Sequence, residues 1–200
     1  MSREPGSLAA LNRQLIETPP PPSFSPRAVP GEGPMEPCLA LVGEQPGDQE
    51  DRAGHPFVGP AGTILDKALA EAGIARAETY VTNAVKNFKF RQTGKRRLHQ
   101  SPTTGEVKHY RWWLERELEF VRPALVVALG ATAALALCGR AVAVTRHRGP
   151  AAFGPWRGYI TVHPSSLLRA PDPDARRLAY AAFVEDLARA KSIAQRAPNA

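Results

Sequence analysis

Short, continuously apolar segments alternate with amphipathic ones along most of this chain, and this alternation limits the possible folds more than any other feature. The segment ALVVAL, residues 124–129, has apolar residues at every position, which is typical of a strand buried on both faces. The segment 104–121 instead repeats apolar residues at helical steps of three and four: Val107, Tyr110, Leu114, Leu118 and Val121. Strands that alternate with helices in this way predict a three-layer α/β/α fold with a central, mainly parallel four-stranded sheet.

Four segments are predicted as the strands of this sheet: CLALV, TYVTNAV, PALVVALG and GYITVHP. Four others are predicted as its helices: PAGTILDKALAEAG, TGEVKHYRWWLERELEFV, ATAALALCG and DPDARRLAYAAFVEDLARAKSIAQ. Residues 1–36 have a different composition, because a short helical pattern, LAALNRQLI, is followed by the proline-rich TPPPPSFSPRAVPGEGP. We therefore expect an N-terminal extension, 1–36, that lies across the surface or is mobile, disordered before Ser7, and one domain, 37–196.

The charge balance favours a polyanionic partner, although a basic surface without such a partner has the same composition. Lys and Arg number 26 against 19 Asp and Glu, a net charge of +7 in 200 residues. The two cysteines, Cys38 and Cys138, are too few for a disulfide scaffold or a four-cysteine metal site. No apolar run suits a membrane span or a signal peptide, so we expect a cytoplasmic protein with no membrane partner, and a monomer by default.

The loops that follow the strands are where a ligand site is expected, because ligands of parallel α/β sheets bind beyond the carboxyl ends of the strands. After the first strand come Glu44 and Gln45, a carboxylate and an amide in a sharp turn, and then Phe57. After the second comes Asn83, whose amide could read the edge of a base such as uracil. Each also has a plainer interpretation. Glu44 and Gln45 would be part of a turn with solvated charges, Phe57 an aromatic residue of the core, and Asn83 a strand-end cap.

The loop HPSSLLR after the fourth strand combines several groups that suit a nucleic acid. His163 could donate to an oxygen that gains negative charge, although an isolated His-Pro is usually a plain turn. Serine hydroxyls can hold a phosphate, exposed leucines can wedge into stacked bases, and an arginine attracts the backbone. These residues are Ser165, Ser166, Leu167, Leu168 and Arg169.

The segment FRQTGKRRLHQSP, residues 90–102, is predicted to be a basic loop that binds phosphates through Lys95, Arg96 and Arg97. It also holds a single histidine, His99, which phosphate binding does not require. Imidazole is nucleophilic only when it is neutral. We expect the neighbouring cations to disfavour the charged form and so keep His99 reactive.

Together, GEQPGDQEDRAGHPFVGPAG, YVTNAVKNFKF, GKRRLH and TVHPSSLLR resemble the uracil-DNA glycosylase superfamily, most closely the UdgX-type branch that binds uracil in DNA covalently. The resemblance runs from about Leu39 to Arg169 and implies the same α/β fold. It implies catalytic roles for Glu44, His99 and His163, with His99 as the nucleophile. It also implies uracil contacts from four residues: Gly43, Gln45, Phe57 and Asn83.

The chain departs from that branch at the residues that hold an iron–sulfur cluster in its relatives. No cysteine precedes Cys38, and Asn87 and Tyr110 stand where two other cluster ligands align. We therefore expect no cofactor and no bound metal. Tyr110, Trp112 or Trp113, together with the proline-rich segment, are expected to fill the vacated space.

The expected function is excision of uracil from DNA, with single strands preferred, followed by capture of the deoxyribose C1′ by His99 in a covalent adduct. One alternative is an ordinary uracil-DNA glycosylase that turns over with water, in which His99 only contacts DNA. A second is a non-catalytic nucleic-acid binding module with a decayed site.

Overall fold

A computed structural model describes residues 4–169 and 171–196 of the chain. Besides a short 3-10 helix, Arg76–Glu78, these residues form seven α-helices and eight strands. In chain order they are α1 (Leu8–Glu17), β1 (Phe24–Ala28), β2 (Leu39–Gly43), α2 (Asp48–Ala53), α3 (Pro60–Glu71), β3 (Thr79–Asn83), β4 (Asn87–Thr93), β5 (Arg96–His99), α4 (Thr104–Val121), β6 (Leu125–Leu129), α5 (Ala131–Cys138), β7 (Gly149–Phe153), β8 (Trp156–Thr161), α6 (Pro164–Leu167) and α7 (Pro173–Gln195). None of the helices described is long and apolar enough to cross a membrane.

The central sheet has the strand order β3-β2-β6-β8-β7. The four strands predicted from the sequence are confirmed as β2, β3, β6 and β8, and they run parallel to one another. A fifth strand, β7, pairs antiparallel with β8 at the edge of the sheet. Its sequence, GPAAF, contains a glycine and a proline and carries no strong strand signal, so the predicted sheet was one strand short.

Alternate residues of the buried strands face two different hydrophobic layers, as the continuous apolar pattern predicted. Leu39 and Leu41 of β2 pack with α3 and α7, whereas Ala40 and Val42 pack with α1, α4 and α5. The predicted three-layer α/β/α architecture is therefore confirmed.

The N-terminal segment packs as part of the body rather than as a separate tail. Leu11 and Leu15 of α1 are buried in the layer that α4 also covers, and β1 pairs with β4. Further along, Glu32 forms a β-bridge with Val81 in β3. The boundary at residue 36 stays a prediction. The disorder expected before Ser7 falls partly on residues 1–3, which lie outside the described residues.

The segment predicted as a basic loop is instead a β-hairpin formed by β4 and β5. Thr93 pairs with Arg96, so only Gly94 and Lys95 form the turn. Gly94 has φ of 57°, a left-handed conformation that two-residue hairpin turns favour and glycine adopts without strain. The many charged residues made this segment resemble a loop, although its residues pair as two short strands.

A buried ion pair joins β3, α4 and the N-terminal segment. The Lys86 ammonium lies 2.5 Å from Glu117, and the two side chains are 1% and 2% exposed. The same carboxylate accepts hydrogen bonds from Thr82, Tyr80 and the backbone N–H of Gly31. Because the pair and its neighbours satisfy one another, the charges can be buried beside the strand that carries Asn83.

Candidate active site

The carboxyl ends of the parallel strands open onto a cleft of about 830 Å³. The loops after β2, β3 and β8 all contribute side chains to it, as the strand-end argument predicted. The lining includes the side chains Glu44, Phe57, Asn83, His99 and His163.

The floor of the cleft depends on a glycine at the end of β2. Gly43 pairs in register with Asn83, and a Cβ added to it would lie 2.4 Å from Asn83 Oδ1 and 2.6 Å from Phe57 Cζ. Only because residue 43 has no side chain can Asn83 and Phe57 approach the end of β2 so closely. The Asn83 amide is 3% exposed and makes no hydrogen bond to any residue that the structure describes, so its donor and acceptor are open to a ligand.

Phe57 combines the two interpretations that its loop position allowed. It is 5% exposed and packs in the layer beneath the sheet, yet its ring also lines the cleft. The ring lies nearly parallel to the His163 imidazole, at 27° and a centroid distance of 6.3 Å. Such a rigid, flat surface suits stacking on a planar base.

His163 is held as a neutral imidazole with a defined tautomer. The backbone N–H of Ser165 donates to Nδ1 at 3.2 Å, and the Ser165 hydroxyl lies 2.8 Å from the same atom. Because Nδ1 accepts, the proton resides on Nε2. Burial lowers the pKa of His163 to about 4, and it outweighs the opposing effect of the Glu44 carboxylate. His163 can therefore donate an N–H bond near pH 7 without carrying a charge.

The rest of the HPSSLLR loop differs in part from expectation. The Ser166 hydroxyl donates to the His163 carbonyl at 2.7 Å, so both serine hydroxyls are engaged within the loop. Leu167, expected to be exposed, is 3% exposed because the short helix α6 turns it into the core, and the expected wedge role is wrong for this residue. Leu168 is 49% exposed and, like Arg169, lines the cleft.

Glu44 follows β2 and lies against His99 in the cleft. Its Oε2 accepts a hydrogen bond of 2.9 Å from Thr132, and its Oε1 lies 3.2 Å from His99 Nε2. That second contact is a close approach of the two atoms without the alignment of a hydrogen bond, because Oε1 has no aligned donor among the described residues. Burial would raise the pKa of Glu44, but the interactions with His99 and Thr132 outweigh it and lower the pKa. Glu44 is therefore a carboxylate at neutral pH.

Arg97 positions the hairpin that carries His99. Its guanidinium contacts Asp48 Oδ1 and Asp51 Oδ2 of α2, each at 2.5 Å, and lies over the rings of Phe88 and Phe90. Arg97 was expected to bind DNA, but in this structure its charge is satisfied by two carboxylates. The helix α2, within the segment interpreted as a turn, supplies both of them.

The charges around His99 also differ from the expectation that cations keep it neutral. The charged group nearest to its ring is the Glu44 carboxylate rather than a cation. Lys95 and Arg96 lie at the exposed end of the hairpin and form no ion pair with any described residue. They remain available to phosphates, but they do not explain the reactivity of His99.

Gln45 fastens the base of the hairpin to the end of β2. Its Nε2 donates to the Gln100 carbonyl at 3.0 Å, and its Oε1 accepts from the backbone N–H of Lys89 at 3.1 Å. The amide expected to contact uracil is thus engaged with the hairpin, although Gln45 still lines the cleft.

The residues that align with cluster ligands form a hydrogen-bonded set of their own. The Tyr110 hydroxyl donates to Asn87 Oδ1 at 2.8 Å, and Asn87 Nδ2 donates to the Ser25 carbonyl at 3.0 Å. The Phe24 ring packs against Tyr110 at 5.9 Å. Cys38 and Cys138 pack in the two layers on opposite sides of the sheet. Oxygen and amide groups bonded to one another, with the thiols so placed, do not fit a thiolate-bound iron–sulfur cluster.

Thr132 and the two carboxylates of α2 were missed in the sequence. Thr132 follows β6, another of the parallel strands. The rule that ligands bind beyond the carboxyl ends of such strands therefore applies to Thr132 as well. No sequence signal pairs Asp48 and Asp51 with Arg97, because the partners lie more than 40 residues apart.

The chain is similar to proteins of one family over most of its length. The family model of the uracil DNA glycosylase superfamily matches residues 30–188. A Type-4 uracil-DNA glycosylase of Thermotoga maritima is 37% identical over 166 residues, covering 82% of this chain and 81% of the relative. One of Pyrobaculum aerophilum is 37% identical over 153 residues, covering 72% and 74%, and one of Archaeoglobus fulgidus is 42% identical over 106 residues, covering 53% and 50%.

Proposed function

Because this chain belongs to the uracil-DNA glycosylase superfamily, we propose that it releases uracil from DNA and that His99 then captures the exposed sugar, as in the UdgX-type branch. The observation that carries the second step is the position of His99, which lines the same cleft as Asn83 and Phe57 and lies 3.2 Å from the Glu44 carboxylate. DNA is the substrate that the basic surface and the family both favour, with single strands preferred because they need no unpairing. The protein is expected to act as a monomer.

Excision requires the uracil to leave as an anion. The C1′–N1 bond breaks and its electron pair remains on the base, while an oxocarbenium-like sugar is left behind. The neutral His163 donates its Nε2–H to the uracil oxygen that gains charge, and Asn83 binds the amide-like edge of the base. Phe57 holds the base flat, so binding and leaving-group stabilisation occur in one geometry.

Capture then forms a bond between C1′ and a ring nitrogen of His99. In the tautomer with the proton on Nε2, the protonated nitrogen is the one 3.2 Å from Glu44, and the lone pair resides on Nδ1. Attack by Nδ1 gives an alkylated imidazolium, whose Nε2 proton passes to the Glu44 carboxylate and from there to solvent or the released uracil anion. The resulting C–N bond is not readily hydrolysed, so each molecule reacts once.

A denaturing gel with a labelled, uracil-containing single strand tests the capture. The wild-type protein is expected to give an SDS-resistant band of at most one adduct per molecule. His99→Ala should lose this band while abasic product still forms through attack by water. His109→Ala, which removes an exposed histidine of α4, is the matched control and should behave as wild type. An adduct of unchanged yield in His99→Ala would refute the assignment.

An ordinary glycosylase that uses water is a second candidate, favoured by the names of the relatives and by the Glu44 carboxylate. A carboxylate beside the cleft can orient and deprotonate a water as well as an imidazole. In that case His99 contacts DNA only, and product accumulates well beyond the amount of protein. The same reaction run with excess substrate separates the two, because capture stops at one turnover.

We also infer that the chain functions without an iron–sulfur cluster. Tyr110 and Asn87, which are expected to stand at cluster-ligand positions, are hydrogen-bonded to each other and to the Ser25 carbonyl, and they offer no thiolate. The purified protein should be colourless and free of iron. Visible absorption with bound iron that disappears on chelation would contradict this inference.

A further inference from the structure

The loop that precedes β7 forms the side of the cleft opposite the hairpin. Val144 and Thr145 line the cleft together with His163. The next residues, Arg146 and His147, form the exposed end of a turn in which both backbone N–H groups bond to the Ala143 carbonyl, at 2.9 and 3.1 Å. This loop, residues 143–148, was not singled out in the sequence.

A buried contact fixes this loop relative to His163. Arg148 donates to Asp186, which is 6% exposed and also accepts hydrogen bonds from Tyr159 at 3.0 Å and Thr161 at 2.5 Å. Thr161 ends β8, two residues before His163. The loop is therefore anchored to the strand that carries a catalytic side chain, and its exposed end has a defined place at the cleft.

The β4–β5 hairpin and the loop 143–148 lie at opposite ends of the sheet edge where the parallel strands end. The hairpin follows β3, which is the first strand of the sheet order, and the loop leads into β7, which is the last. Gly149, where β7 begins, pairs with Ile160 near the carboxyl end of β8, so the loop and the strand ends share one edge. The cleft lies between the two elements.

The outermost basic side chains of the hairpin and of the loop are available to bind a ligand. Arg146 forms no ion pair with any residue in the described ranges 4–169 and 171–196, and the same holds for Lys95 and Arg96. The Ala143 carbonyl accepts a hydrogen bond from His147 Nδ1 at 3.1 Å, so Nε2 is the ring atom left to bind a phosphate, which it does as the N–H donor of an imidazolium. Arginine side chains without a carboxylate partner at the rim of a cleft suit phosphodiesters.

We propose that Arg146 and His147 bind the phosphates on one side of the flipped nucleotide, while Lys95 and Arg96 bind those on the other side. The inference rests on the proposed function and adds to it a path for the strand: from the hairpin, across the cleft, to the loop before β7. The contacts are to the backbone, so they strengthen binding without reading sequence.

Oligonucleotides with flanks of different length test this path. Fluorescence anisotropy would measure the affinity for labelled single strands in which a non-cleavable 2′-fluorinated deoxyuridine stands at the centre, near the 5′ end, or near the 3′ end, so that neither base release nor an adduct disturbs the equilibrium. Arg146→Ala should weaken binding about three- to tenfold on the centred strand and on only one of the two asymmetric strands, and lower the salt dependence by about 0.7 in logarithmic slope. Arg96→Ala should affect the other asymmetric strand.

Two variants control the interpretation. Arg157→Ala removes an exposed arginine at the start of β8, on the opposite edge of the sheet, and should leave all three affinities unchanged. Arg146→Lys keeps the charge and should retain most of the binding. Unchanged affinity in Arg146→Ala, or an equal loss on both asymmetric strands, would overturn the proposal. Uracil release by the wild-type protein, measured in parallel, shows separately whether the proposed function itself fails.

Discussion

Replacing His163 by asparagine is expected to remove a defined part of the sensitivity of this fold to acid. Burial lowers the pKa of His163 to about 4, against an ordinary value of 6.5. The unfolded chain therefore binds the proton more readily than the folded protein, and stability falls as the pH falls from 6.5 towards 4. Between pH 7.5 and 4.5, this single group is expected to cost about 2.5 kcal/mol of the free energy of unfolding.

Urea unfolding of the wild-type protein and His163→Asn at the two pH values would measure this difference. The decrease between pH 7.5 and 4.5 should be smaller in the variant by about 2.5 kcal/mol. His109→Ala, with an exposed histidine removed, should lose as much stability as the wild type. An equal loss in wild type and His163→Asn would refute the claim that His163 is held neutral, and with it the uncharged donor assigned to the reaction.

Other perturbations test the rest of the site and its support. Gly43→Ala should keep the fold but slow uracil release about 10- to 100-fold in single-turnover assays. The reason is that the added methyl group would lie 2.4 Å from Asn83 Oδ1 and 2.6 Å from Phe57 Cζ. Wild-type activity in this variant would show that the two side chains move freely. Lys86→Met should lower the free energy of unfolding by about 3–5 kcal/mol, because it leaves the Glu117 carboxylate buried without its counter-ion. The double variant with Glu117→Gln should regain part of that loss, and a denaturant series in which it does not would argue against a buried ion pair.

The order of strands and helices could be predicted because it depends on local periodicity. The four parallel strands carry continuous apolar runs, and α4 and α7 repeat apolar residues at helical steps, so each identifies itself from its own residues. The strands β1, β4, β5 and β7 are short, polar or proline-containing, and they exist because a neighbouring strand supplies their hydrogen bonds. Such strands have no signal that a single segment could show.

The candidate site divides in a similar way. The strand-end rule found Glu44, Asn83 and His163, because the carboxyl ends of parallel strands meet at one edge whatever the details of packing. The contacts that each side chain makes could not be predicted in this way. Arg97 looked like a DNA contact until α2 placed two carboxylates beside it, and Leu167 looked exposed until α6 turned it inward.

The sequence alone determined the α/β architecture, the edge of the sheet that holds the cleft and the residue types gathered there, because these follow from periodicity and from the direction of the strands. The tertiary structure decided which charges are satisfied and which are free. It paired Arg97 with two carboxylates, set Glu44 beside His99, and left Arg146 without an ion pair among the residues that the structure describes. Ion pairs and pKa values depend on distances between residues remote in the chain, and only the folded backbone sets those distances.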